Sequence, residues 1–203
     1  MLPESSVKDV PVAHCDFPYC YLTHMRIAVS GAHAVGKSTL VKALGLEWPE
    51  AILPDEAYYD LRALDHTFAL ELSALDFEEQ LRHSLTLVQS SGTRPAIFDR
   101  SPADYLAYIL ALDPSSEIPA RLLPSVTEAF NSLDLLVYVP IETPDRIGIA
   151  DEHPKLRKRV DRLLRSALLD DAWGLGVQAL EVTGTVLDRT AQVKARCAGL
   201  GRQ

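Results

Sequence analysis

Gly31-Ala-His-Ala-Val-Gly-Lys-Ser-Thr39 follows directly on the apolar run Arg26-Ile-Ala-Val-Ser30. The stretch fits the spacing G-x-x-x-x-G-K-[ST], with Gly31, Gly36, Lys37 and Ser38 at the defined places. That spacing has a physical purpose. A loop between a strand and a helix exposes a row of backbone N–H groups. They surround an anion at a helix N-terminus, where the helix dipole adds to the attraction. Glycines permit the turns and let the backbone approach closely. A random chain of this length matches the pattern at about the one per cent level. The strand before it and the helix after it lower that chance further, so the stretch reads as a phosphate cradle.

Read this way, the chain binds a nucleoside triphosphate, with ATP and Mg²⁺ as the expected cofactors. Gly31, Ala32, His33, Ala34, Val35, Gly36, Lys37, Ser38 and Thr39 form the cradle. Lys37 can reach the β- and γ-phosphates, and the Ser38 hydroxyl can ligate the metal. His33 and Val35 fill variable places, and His33 reads as a loop filler or phosphate neighbour rather than a catalyst.

Outward from the cradle, strand and helix signals alternate. Strands are predicted at Met25–Ser30, Ala51–Leu53, Pro95–Phe98, Leu135–Val139 and Ala179–Thr183. Helices are predicted at Lys37–Leu46, stopped by Gly45 and Pro49, and at Ala57–Leu64. A helical region carrying Phe68, Leu72 and Leu75 restarts at Asp76, where Asp76 and Glu79 fit a capping box. Ser91-Gly92 ends it. Ser101 as N-cap and Pro102 at the first helical position open a helix to Leu112. Further helices are predicted at Ala120–Asn131, Lys155–Leu169 and Thr185–Ala198, with loops at 113–119 and 141–154. Five short strands separated by helices predict a three-layer α/β fold, a five-stranded parallel sheet with helices on both faces.

The chain has 203 residues, enough for one sizeable core. Residues 1–24 hold three prolines and no period, and read as a flexible N-terminal extension to one domain over 25–203. His14, Cys15, Cys20 and His24 do not have the spacing of a recognised zinc finger. Three scattered cysteines make no disulfide framework, so a cytoplasmic location is the default. No apolar run reaches the ~18 residues that would cross a membrane. With a formal charge of −8, long nucleic acid is not an expected partner.

A phosphate cradle does not name the phosphate acceptor. A guanine-reading N-K-x-D stretch is absent, and the strand Ala96-Ile-Phe-Asp-Arg100 ends in Asp-Arg rather than Asp-Glu. An acid that ends a buried strand beside the cradle faces the ligand crevice. Asp99 is therefore the candidate for Mg²⁺ or substrate. Arg100 could clamp a substrate or phosphate in bidentate fashion, or pair with a neighbouring acid. Glu56, just after the second strand, would face the phosphates as a general base or orienting group. Alternatively, Asp55 and Glu56 merely cap the helix at Ala57. Tyr58, Arg62, Asp104 and Tyr105 could line an acceptor pocket, with packing or surface roles as the ordinary alternative. In Pro154-Lys-Leu-Arg-Lys-Arg-Val-Asp-Arg-Leu-Leu-Arg165, positive charge gathers on the side of a helix away from its apolar stripe.

The cradle, Asp99-Arg-Ser101 and Glu56 together resemble the nucleoside and nucleotide kinase branch of the P-loop proteins. More narrowly, residues 25–39, Asp99-Arg-Ser-Pro102 and Leu136-Val-Tyr-Val-Pro140 look like small AAA-type ATPase/kinase domains, a group that includes the ribosylnicotinamide kinase domain. The resemblance implies a P-loop NTPase fold and transfer of the ATP γ-phosphoryl to a nucleoside-like or pyridine-riboside hydroxyl. It implies catalytic roles for Lys37, Glu56 and Asp99, acceptor binding by Glu56, Asp99 and Arg100, and metal binding by Ser38 and Asp99. It makes the basic helix part of a lid, with Arg157 and Arg159 over the transferred phosphate. Gly184 and Thr185 would pack against adenine, and Thr185 would also cap the last helix with Asp188. Such kinases are often homodimers, although no stretch here marks an interface. The competing readings are an ATPase, and a regulatory module that only binds nucleotide.

Overall fold

The computed structural model describes residues 25–115, 121–145 and 153–200. The N-terminal extension with its His14, Cys15, Cys20 and His24, the predicted helix start at Ala120, and the centre of the 141–154 segment lie outside the described residues.

Four parallel strands form the sheet: β1 Arg26–Ser30, β2 Ala96–Asp99, β3 Leu135–Tyr138 and β4 Ala179–Glu181, in the order β2-β1-β3-β4. Ile27 pairs with Ile97 on one side and Leu135 on the other. All five residues of β1 are buried, as expected of a central strand covered on both faces. The expected fifth strand at Ala51–Leu53 is only a bridge, Ile52 with Ala96, outside β2. Pro54 follows at once and has no N–H with which to extend a ladder.

Around the sheet lie α1 Lys37–Glu47, α2 Ala57–Ala63, α3 Ala74–Ser90, α4 Pro102–Leu112, α5 Leu123–Asn131, α6 Pro154–Leu169 and α7 Val186–Leu200. Gly45 does not stop α1. It lies within the helix, where a Cβ would stand 2.6 Å from Leu53 Cδ1, so its bareness lets Leu53 pack. The helical region predicted before Asp76 is a loop. Ser73 caps α3 instead, its hydroxyl accepting from Leu75 N at 3.2 Å. Asp76 turns back to accept from Ala69 N. At Ser101 the sequence reading holds: Ser101 caps α4, Pro102 opens it, and Asp104 completes the capping box.

The chain leaves β1 toward β2 on one side and β3 on the other. This switch point opens a crevice at the carboxyl ends of the strands. The cradle, Asp99, Val139 and Gly184 all stand at that edge, each ending a strand or within three residues after one.

Candidate active site

The cradle is tight. A Cβ on Gly31, at φ 156°, would lie 2.4 Å from Val139 O. Gly36 caps α1 in the left-handed region at φ 91°, and Ala34 also has positive φ, 53°. Four consecutive carbonyls of the loop are held by cations. Lys37 Nζ donates to Ala32 O at 2.7 Å. Arg157 donates to His33 O at 2.9 Å through Nε and to Ala34 O at 3.1 Å through Nη2. Arg189 Nη1 donates to Val35 O at 2.7 Å. In a trans peptide the N–H points opposite to its C=O. Holding these carbonyls therefore fixes the direction of the N–H groups that follow them. His33 N–H is already taken by Tyr108 OH at 3.0 Å. The peptide planes that carry the N–H groups of Ala34, Val35 and Gly36 are fixed by the same cations, at the start of α1, where a loop of this kind suits an anion.

Lys37 is buried, which pushes its ammonium down to about 8; nearby Arg100 adds to this, and Asp104, Asp99 and Glu56 oppose it. Asp99 ends β2. Burial raises its carboxyl, while a hydrogen bond from Ser38 and the charge of Lys37 lower it. Asp99 Oδ1 is buried with no hydrogen-bond partner among the described residues. A hydroxyl and a carboxylate side by side at the cradle, with one carboxylate oxygen unengaged, are hard oxygen donors that suit Mg²⁺.

Glu56 occupies the N-cap position of α2, but its side chain makes no cap bond. It turns instead to Arg100, whose Nε donates to Glu56 Oε1. Arg100 sits at φ 81°, so the turn after β2 throws its guanidinium into the cleft. Its Nη1 is 3.5 Å from Asp104 Oδ1, and its Cζ lies 5.5 Å over the Tyr108 ring. Burial alone would lower the Arg100 pKa, but Glu56, Tyr108 and Asp104 raise it well above the ordinary value. Arg100 is thus a permanent cation in an acid-rich setting. Asp104, fully buried, accepts from Gly31 N at 3.0 Å and Ser101 N at 2.9 Å, joining α4 to the cradle. Tyr105 is buried too, whereas Arg62 is on the outside, over the Tyr58 ring.

A cleft of about 870 Å³ starts at Lys37 and Ser38 and runs past Glu56 and Arg100. Its walls carry two stacked aromatic pairs. Phe77 and Tyr108 lie 4.4 Å apart and nearly parallel, and Tyr58 and Phe68 lie 4.8 Å apart. Phe77 and Tyr108 belong to α3 and α4, which pack together.

Of the two lid candidates, Arg157 is buried against the loop and also pairs with Asp145. Arg159 is two positions on and ~200° round the helix, and neither arginine lines the cleft. Gly184 follows β4 with φ 96°. Thr185 and Asp188 exchange bonds at the start of α7, Thr185 N to Asp188 Oδ2 at 2.8 Å and Asp188 N to Thr185 Oγ1 at 3.2 Å, as the sequence predicts. Arg189 is the residue that sequence reasoning missed. It sits some 150 positions from the loop it touches, in a helix with no motif.

Fold and loop define the class: a three-layer P-loop α/β domain with the architecture of nucleotide kinases. A family model described as AAA domain matches residues 26–189, and the chain belongs to that family. No protein of curated function matches it in sequence. Among solved structures it is similar to the thymidylate kinase of Candida albicans (TM-score 0.60, 16% identity, 89% of this chain and 94% of that one). It is also similar to the deoxyadenosine kinase of M. mycoides with bound dATP (TM-score 0.57, 13% identity, 85% and 98%). NadR protein in complex with NR gives a TM-score of 0.56 at 16% identity; 89% of this chain covers 51% of that one. Among the described residues no helix is long and apolar enough to cross a membrane.

Proposed function

We propose that the chain is a small-molecule kinase that transfers the γ-phosphoryl group of ATP to a hydroxyl of a nucleoside-like or pyridine-riboside acceptor. The observation that carries this reading is the cleft. It continues from the cradle into an aromatic-walled space that contains a carboxylate, Glu56, and a fixed cation, Arg100. An ATPase or a nucleotide switch needs the cradle but has no use for an aromatic acceptor slot. The solved kinases of similar fold support the same reading by analogy.

In this reading the acceptor hydroxyl oxygen forms a bond to the γ-phosphorus as the bond to the β,γ-bridging oxygen breaks. ADP leaves, and the hydroxyl proton passes to Glu56. Among the described residues only Oε1 of that carboxylate is engaged, by Arg100. Arg100 holds Glu56 in place and offers charge to the acceptor side. Lys37 and the loop N–H groups stabilise the anionic charge that shifts toward ADP. Ser38 and Asp99 would hold Mg²⁺, which when bound neutralises phosphate charge. Arg157 is the lid candidate that stands at the loop, and Arg159 is the weaker one. Gly184 and Thr185 remain the candidates for the adenine side.

The test is acceptor dependence. ADP release should rise at least tenfold when the right riboside from a panel of nucleosides and pyridine ribosides is added. A rate that stays flat across the panel contradicts the kinase reading and favours an ATPase or switch.

A further inference from the structure

Arg189 has no part in the chemistry above, yet its surroundings are elaborate. It belongs to α7, is 6% exposed, and reaches across to the cradle. Nη1 donates to Val35 O at 2.7 Å, and Nη2 donates to Glu142 Oε1 at 3.1 Å. The same Glu142 oxygen accepts Gly184 N–H at 2.7 Å. One guanidinium and one carboxylate oxygen therefore join the cradle, the segment after β3 and the turn after β4. Arg189 is fixed at its own end as well. Its backbone N–H donates to Thr185 O at 2.9 Å, within the turn that Asp188 closes. Gly184 has no room for a side chain: a Cβ would stand 2.8 Å from Asp188 Oδ2.

Val35 and Gly36 share a trans peptide, so a hand on Val35 O sets the direction of Gly36 N–H. Gly36 needs that control, because a left-handed glycine has the freest backbone in the loop. We infer that Arg189 is a positioning residue that aims Gly36 N–H into the phosphate nest, and that Glu142 anchors it to the Gly184 turn. The cradle is thereby tied to the far end of the sheet and is not a self-sufficient loop. The inference rests on the nucleotide-binding reading above. It adds a residue that contacts neither phosphate nor acceptor.

The test uses the full chain and two probes, ATP and inorganic tripolyphosphate, which has phosphates but no base. A hydrogen bond from a charged donor is strong enough that its loss changes binding by roughly tenfold. Arg189→Met, shown to be folded by circular dichroism at the assay temperature, is expected to bind tripolyphosphate about tenfold more weakly than wild type. ATP should weaken by a similar factor. Glu142→Ala should weaken both probes severalfold, and the double variant should lose less than the two effects combined, since Glu142 acts through Arg189. A purely structural role would lower thermal stability and leave the affinity of the folded protein for tripolyphosphate unchanged, and that result overturns the inference. If Arg189→Met does not fold, Glu142→Ala is read by the same criterion. A wild-type chain that binds neither probe overturns the nucleotide reading itself, a distinct failure.

Discussion

Lys37 shows how one buried group makes a measurable claim. With no phosphate present its ammonium is held near 8 by burial and by Arg100. A bound triphosphate favours the charged form and raises that pKa again. Binding therefore takes up a proton when the pH exceeds the free value of about 8. ATP affinity should be nearly level below that pH and should fall by up to tenfold per unit above it. Titration calorimetry in buffers of different ionisation heat at pH 9 checks this; no buffer dependence would contradict it. Glu56 makes the complementary claim. Its alternative role as a helix cap is not the one its side chain adopts, since it turns to Arg100 instead. Glu56→Gln should therefore reduce phosphoryl transfer by roughly 10²–10⁴-fold while ATP affinity stays within about twofold. Normal transfer in that variant would remove Glu56 from the mechanism.

At the scale of elements, the sequence told most where local chemistry decides. The cap at Ser101-Pro102 and the Thr185–Asp188 turn were legible because their partners lie within a few residues. Other features depend on distant packing and were not. Gly45 reads as a helix stop, yet it is a contact site for Leu53. Ala51–Leu53 reads as a strand, and only Ile52 finds a partner. Asp76 and Glu79 imitate a capping box, but Ser73 reaches the backbone first. Arg157 could be singled out because it lies in a basic cluster. Arg189, one of three basic residues scattered along α7 with Lys194 and Arg196, could not. Gly31 carries the prediction at this scale. Gly31→Ala would drive a Cβ to 2.4 Å from the Val139 carbonyl oxygen, backbone that cannot swing aside. Overpacking of this kind costs about 1–3 kcal/mol, so thermal unfolding should move down by several degrees. An unchanged melting temperature would mean that the loop and β3 are less closely joined than described.

For the molecule as a whole, the order β2-β1-β3-β4 gathers the chemistry at one edge. The cradle, Asp99, the Glu56–Arg100 pair and the Gly184 turn come from segments spread over more than 150 residues, and they meet because parallel strands all end there. The half of that edge formed by the cradle was legible in nine consecutive residues. The aromatic half was not, because its walls come from α2, α3, α4 and the loop at Phe68, whose relative orientation no local pattern fixes. The central claim is that the terminal phosphate of ATP moves to a hydroxyl in that aromatic cleft. It is tested most directly with γ-labelled ATP, the full chain and the riboside panel, followed by separation of the products. Label should appear on one class of riboside in amounts equal to the ADP formed. Label found only in inorganic phosphate, whatever riboside is present, would contradict the claim.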